Sequence, residues 1–112
     1  MTHYKQGDII TVHYPFDDFS GEKIRPAIIV GKSRSKFGNY LISKVTTVIR
    51  QDEHSFLLKN EFLSVPTGKI SEVRCNNIIN ISEVKFIRRV AILDKSEVKE
   101  LCLKIQQNFE VK

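Results

Sequence analysis

Residues 14–30 read YPFDDFSGEKIRPAIIV. The stretch runs from a strand-like segment through a polar, glycine-bearing loop into Arg25-Pro26, and then into four unbroken apolar residues, Ala27 to Val30. Proline fixes its own φ, lacks an N–H and drives the preceding residue toward extended backbone. An apolar run bounded by such a loop reads as a core strand, here Ile24 to Gly31. Arg25 then stands at the mouth of that strand. A permanently charged, planar guanidinium at a rigid strand end suits a phosphate or a carboxylate; the plainer reading is a solvated strand-end arginine.

Working outward, Ile9/Thr11/His13 and Ile10/Val12/Tyr14 alternate as a half-buried strand does. Asp17 to Glu22 is a loop, with Ser20-Gly21 supplying its turn chemistry. Gly38-Asn39 marks a turn, so a strand runs from Phe37 or Tyr40 to about Val48. Ser55 to Leu58 is a shorter strand, and Lys59 to Lys69, with Pro66 and Gly68, is a surface loop. Strand-like segments recur at Ile70–Cys75, Ile78–Ile81 and Lys85–Ile92. The period then changes: Val98, Leu101, Cys102, Ile105 and Phe109 form one helical stripe, and Asp94 with Glu97 makes a capping-box pattern ahead of it. Leu103, apolar but off the stripe, hints at an additional buried contact. The order predicts a mainly β chain: a small, strongly curved antiparallel barrel closed by a C-terminal helix.

At 112 residues the chain makes one domain, 1–112, whose 41% apolar and 28% charged residues are those of an ordinary globular protein. No run approaches the roughly 18 apolar residues of a membrane span, and the polar N-terminus has no signal-peptide core, so the expected location is cytoplasmic. Cys75 and Cys102 are isolated and read as reduced core thiols. His3, His13 and His54 are scattered, and no zinc-ligand spacing exists, so neither a metal nor a cofactor is expected. Net charge is +5, and Lys23, Arg25, Lys32, Arg34, Lys36, Lys44 and Arg50 follow one another with no intervening acidic residue. That asymmetry points to a polyanion, RNA or DNA, although a solvated basic face would look the same.

The PF-DDFSGEK-I-RPAIIV pattern, with Gly7-Asp8-Ile9-Ile10 before it, resembles the opening of the PemK/MazF-like family of type II toxin–antitoxin toxins; the resemblance covers roughly residues 5–107. It implies an SH3-like antiparallel barrel, a homodimer, a cognate antitoxin, and metal-independent cleavage of single-stranded RNA (mRNA). In that chemistry the ribose 2′-OH attacks the adjacent phosphate, leaving a 2′,3′-cyclic phosphate and a 5′-OH. Three places match the family's functional pattern. They are Arg25; Thr46 in LISKVTTVI, with Thr47 as the neighbour that alternation would turn to the other face; and Arg74 in SEVRCN. Arg25 would stabilise developing charge, Thr46 would hydrogen-bond the phosphate, and Arg74 would be a second cation. Asp18, Glu22, Lys23, Lys44 and Asn76 complete the candidate substrate-binding set.

Asn76 departs from the family, which carries Asp there in its PemK branch. An amide cannot take a proton, so the general base is open among Asp17, Asp18, Glu22 and His13. A catalytically degenerate RNA- or protein-binding module of the same fold is the alternative. Taken singly, Thr46 suits any strand by shape, and Arg74 would serve equally as a surface partner of Glu72 or Glu83.

Overall fold

The expected alternation builds the first strand, β1, Asp8–Pro15, in which Ile10, Val12 and Tyr14 are all buried. The computed structural model describes residues 4–16, 18, 20–33 and 38–111; His3, Asp17, Arg34, Lys36 and the expected strand start at Phe37 lie outside that set. After β1 come β2, Glu22–Lys32; β3, Asn39–Thr46; β4, Ser55–Leu58; β5, Ser71–Ser82; β6, Phe86–Ile92; and the helix α1, Lys95–Gln106. The strands form one antiparallel sheet in the order β4-β5-β3-β2-β1-β6.

The chain is mainly β with one C-terminal helix, as expected, but the sheet does not close by a strand ladder. β4 and β6 remain its edges. The segment after β4 instead reaches the end of β6 through a single antiparallel bridge, Leu63 to Leu93, flanked by Ser64 N–H to Ile92 O at 2.9 Å and Asp94 N–H to Phe62 O at 2.8 Å.

The segments expected separately at 70–75 and 78–81 are one strand, β5. Its pairing with β3 steps from Ser43–Ile78 to Val45–Val73, so Arg74 to Asn77 bulge opposite Lys44. Buried backbone groups need partners, and the bulge finds them off the ladder. The Arg74 carbonyl accepts from Ser43 Oγ at 2.7 Å, the Cys75 N–H donates to His54 O at 2.8 Å, and the Cys75 carbonyl accepts from Asn108 Nδ2 at 2.7 Å.

Two buried clusters occupy the two sides of the sheet. One gathers Ile9, Ile28, Val45, Val73, Ala91 and Leu93 beneath Val98, Leu101 and Ile105 of α1. The other gathers Ile10, Val12, Tyr14, Ala27, Ile29, Tyr40 and Ile42. Each fully buried aliphatic side chain contributes about 1.5–3 kcal/mol. The capping box does not form: Asp94 is the N-cap, but its side chain accepts from Ser96 Oγ at 2.9 Å rather than from the helix backbone. Phe109 falls in a 3-10 turn beyond α1 and is exposed, and so is Leu103.

Gly7 fixes where β1 begins. Its φ is +94°, and an added Cβ would stand 2.9 Å from Val98 Cγ2. Only glycine adopts that backbone without strain, which lets Gly7 bond Ile29 and Leu93 at 2.8 and 2.9 Å. Beside it, buried Asp8 accepts from the Lys5 N–H at 3.0 Å and from Arg89 Nη1 at 3.2 Å.

Candidate nucleic-acid interface

Strand register brings the basic residues to one face. Arg25 pairs with Val12 and Lys23 with Tyr14, so both arginine and lysine share the side of Ile10, Val12 and Tyr14. Ala27 pairs with Lys44, and Thr46 with Glu72, which continues the same side across β3 to β5. One end of this face is apolar; the other carries Lys23, Arg25, Lys44, Thr46, Glu72 and Arg74.

Three hollows include residues of that polar end, and Lys44 lines all of them. The first, about 370 Å³, is lined by Lys44, Thr46, Arg50, Arg74, Asn76, Asn77 and Ile78. The second, about 530 Å³, lies over the opposite, apolar side of the sheet, at Ile9, Val45, Leu58, Leu63 and Val90, and reaches Arg25, Lys44, Thr46, Thr47, Arg50 and Lys69 at its rim. The third, about 180 Å³, lies between Tyr14, Phe16, Lys23, Arg25 and Lys44. Among the described residues, the side chains of Arg25, Lys44 and Arg50 make no ion pair. Thr46 lines two hollows, and its hydroxyl accepts from the Val48 N–H at 3.1 Å; Thr47, past the end of β3, lines only the second.

Arg74 lines the first hollow but is buried, and both of its terminal nitrogens are bonded to carboxylates. Its Nη1 donates to Glu72 Oε2 at 2.6 Å, Asp52 Oδ1 at 3.0 Å and Ser55 Oγ at 3.0 Å, and its Nη2 donates to Asp52 Oδ2 at 3.0 Å. Glu72 was foreseeable as a partner; Glu83 is not one. Burial alone would raise the Glu72 carboxyl, but hydrogen bonds from Arg74, the Arg50 N–H, Ser55 and the Gln51 N–H outweigh it and hold the pKa below its ordinary value. The hydrogen bond from Arg74 and the N–H of His54 hold Asp52 far below the usual carboxylate range. Arg74 is in turn raised by Asp52 and Glu72.

The other expected residues are distributed unevenly. Asn76 is exposed in the first hollow, and its neighbour Asn77 accepts from the Tyr14 hydroxyl. Asp18 and Glu22 line none of the three hollows. Asp18 accepts from the N–H and hydroxyl of Ser20 at 3.0 and 2.7 Å, which lowers its pKa, and Glu22 pairs with Lys85 at 2.7 Å. His13 pairs with Ile24 and so belongs to the face opposite Arg25. Arg50, Asp52, Ser55 and Asn77 were not singled out as site residues from sequence. For Arg50, the unbroken basic stretch was the available signal.

No cluster of three or more His, Cys, Asp or Glu among the described residues is arranged to hold a metal ion. No helix among them is long and apolar enough to cross a membrane. Burial raises the Cys75 thiol to about 11 and Cys102 above its ordinary value, and both are free.

The family described as PemK-like, MazF-like toxin of type II toxin–antitoxin system matches residues 5–109. The chain belongs to that family. Among solved structures of similar fold is the Mycobacterium tuberculosis toxin MazF-mt6, with a TM-score of 0.70 and 20% identity over 94% of this chain and 98% of that one. An endoribonuclease in complex with its cognate antitoxin from a mycobacterial species gives 0.75, at 10% identity over 98% of both chains. A MazE–MazF structure from Deinococcus radiodurans gives 0.72, at 13% identity over 97% and 98%. No curated protein matches the chain. The PemK/MazF assignment thus rests on the family match, and these structures support the fold.

Proposed function

We propose that this PemK/MazF-family chain is a cytoplasmic toxin that acts as a homodimer and cuts single-stranded RNA without a metal, and that a cognate antitoxin neutralises it. The observation that carries the reading is the convergence of Arg25, Lys44 and Thr46, from two neighbouring strands, at one basic end of the sheet, where neither cation makes an ion pair among the described residues. Two further points support it: a mycobacterial neighbour is described as an endoribonuclease bound to its antitoxin, and the exposed apolar side chain of Val48 lines the second hollow, where a partner could bury it.

In the proposed reaction the 2′-oxygen bonds to phosphorus and the P–O5′ bond breaks. The 2′-OH proton leaves to a base, and O5′ takes one up. Arg25 and Lys44 meet the charge that grows on the nonbridging oxygens, and the Thr46 hydroxyl donates to one of them. Arginine holds its proton too firmly to act as the base. Among the described carboxylates nearest the hollow, Asp52 and Glu72 are held as anions by Arg74. The reading therefore places most of the rate in charge stabilisation and orientation. The test is end-group analysis of RNA incubated with the protein in EDTA: 2′,3′-cyclic phosphate and 5′-OH termini support it, and 3′-OH termini overturn it.

A second reading has its own observation. Asn76 presents an amide in the first hollow where a proton acceptor would serve. A binding module that has lost turnover would hold RNA with steep salt dependence and leave it uncut, and its induction would not arrest growth.

A further inference from the structure

We infer that Arg50, not Arg74, is the guanidinium that joins Arg25 and Lys44 at the RNA backbone, and that Arg74 and Glu72 are positioning residues that hold Arg50 there. The inference rests on the RNA-cleaving reading and assigns its second cation. Arg74 sits between two carboxylates, at 2.6 Å from Glu72 and 3.0 Å from Asp52. That cluster holds one more negative than positive charge, so it does not attract a phosphodiester. Swinging Arg74 out would leave Glu72, 1% exposed, as a buried anion without its cation.

Arg50 has the opposite character. It is exposed, makes no ion pair among the described residues, and lines both larger hollows beside Lys44 and Thr46. Its backbone is fixed by the buried cluster: Glu72 Oε1 accepts from the Arg50 N–H at 2.8 Å and the Gln51 N–H at 3.4 Å. Gln51 adopts φ +51°, a left-handed conformation that non-glycine residues hold only when their surroundings impose it. Glu72 is held by Arg74, and Arg74 is held by Asp52 and Ser55. The buried network thereby sets the backbone from which Arg50 reaches the hollow.

The probe is a short mixed-sequence 2′-O-methyl RNA, which binds but lacks the attacking hydroxyl. Its affinity is measured against salt for the wild-type protein, Arg50→Gln, and Lys99→Gln on the exposed side of α1. Each phosphate contact contributes about 0.7 to the slope of log K against log salt for single strands. The expected result is a slope about 0.7 shallower for Arg50→Gln and unchanged for Lys99→Gln. An unchanged slope for Arg50→Gln, with RNA cleavage intact in wild type, overturns this inference and leaves the nuclease reading standing. Absence of cleavage by wild type overturns the nuclease reading, while the slope still decides the Arg50 contact. Absence of binding by wild type overturns both.

A cleavage cycle tests the positioning role. Arg74→Lys keeps the charge but loses the fork, so it lowers kcat in the wild-type background and lowers it no further in Arg50→Gln. Equal losses in both backgrounds overturn positioning. If Arg74→Lys does not fold, the Arg50→Gln slope still decides the assignment.

Discussion

Arg74 Nη1 lies 2.6 Å from Glu72 Oε2, and both side chains are buried two residues apart on the same side of β5. An arginine that family resemblance marks for substrate is, in this chain, the centre of a buried ion-pair cluster. The cluster joins β5 to the segment before β4 through Asp52 and to β4 itself through Ser55.

Arg74→Met is expected to destabilise the fold by about 3–5 kcal/mol, because it strips the cation from a buried carboxylate. Urea unfolding at neutral pH measures this; a loss under about 1 kcal/mol would show that the pair behaves like an exposed one.

Acid should expose the same cluster. Asp52 and Glu72 both have folded pKa values below their unfolded ones. Their stabilisation is therefore complete above the ordinary carboxylate pKa of about 4 and is lost as pH falls through the depressed values. The melting temperature of wild type should fall below pH 4 more steeply than that of Arg74→Met, whose carboxylates have lost their main partner. Parallel curves would contradict the linkage.

Much of the fold was legible because its signals are local. The apolar run after Pro26, the four residues of β4 and the stripe of α1 each follow from spacing within a few residues. The closure of the sheet was not legible, since the Leu63–Leu93 bridge joins residues far apart in the chain. β5 read as two strands because Asn76 and Asn77 interrupt its apolar pattern, whereas the interruption is a bulge whose polar groups are satisfied by Ser43, His54 and Asn108. In the site, Arg25 and Lys44 stand out in the unbroken basic stretch, whereas Thr46 is marked only by the family resemblance. The capture of Arg74 by Asp52 was invisible, because nothing in the sequence near position 52 distinguishes that carboxylate from a solvated one.

Gly7→Ala tests the start of β1. Positive φ and a 2.9 Å approach to Val98 Cγ2 both oppose a methyl group, and the variant should lose about 1–3 kcal/mol. Thermal melts with unchanged stability would show that the turn relaxes freely.

Asn76→Asp restores a proton acceptor in the first hollow. The variant should cleave RNA about 10–100-fold faster than wild type and acquire an acidic limb in its pH–rate profile, as a working general base does. An unchanged rate and profile would show that position 76 does not face the reacting ribose.

The central claim is that Arg25, Lys44 and Thr46 act together on one phosphodiester. It is tested most directly by cleavage of a mixed-sequence single-stranded RNA in EDTA by wild type and Arg25→Ala at matched, folded concentration. The account predicts cleavage by wild type and a rate about 100–1,000-fold lower for Arg25→Ala, as when one donor to a developing oxyanion is removed. Equal rates in the two proteins, or no cleavage by wild type, would contradict it.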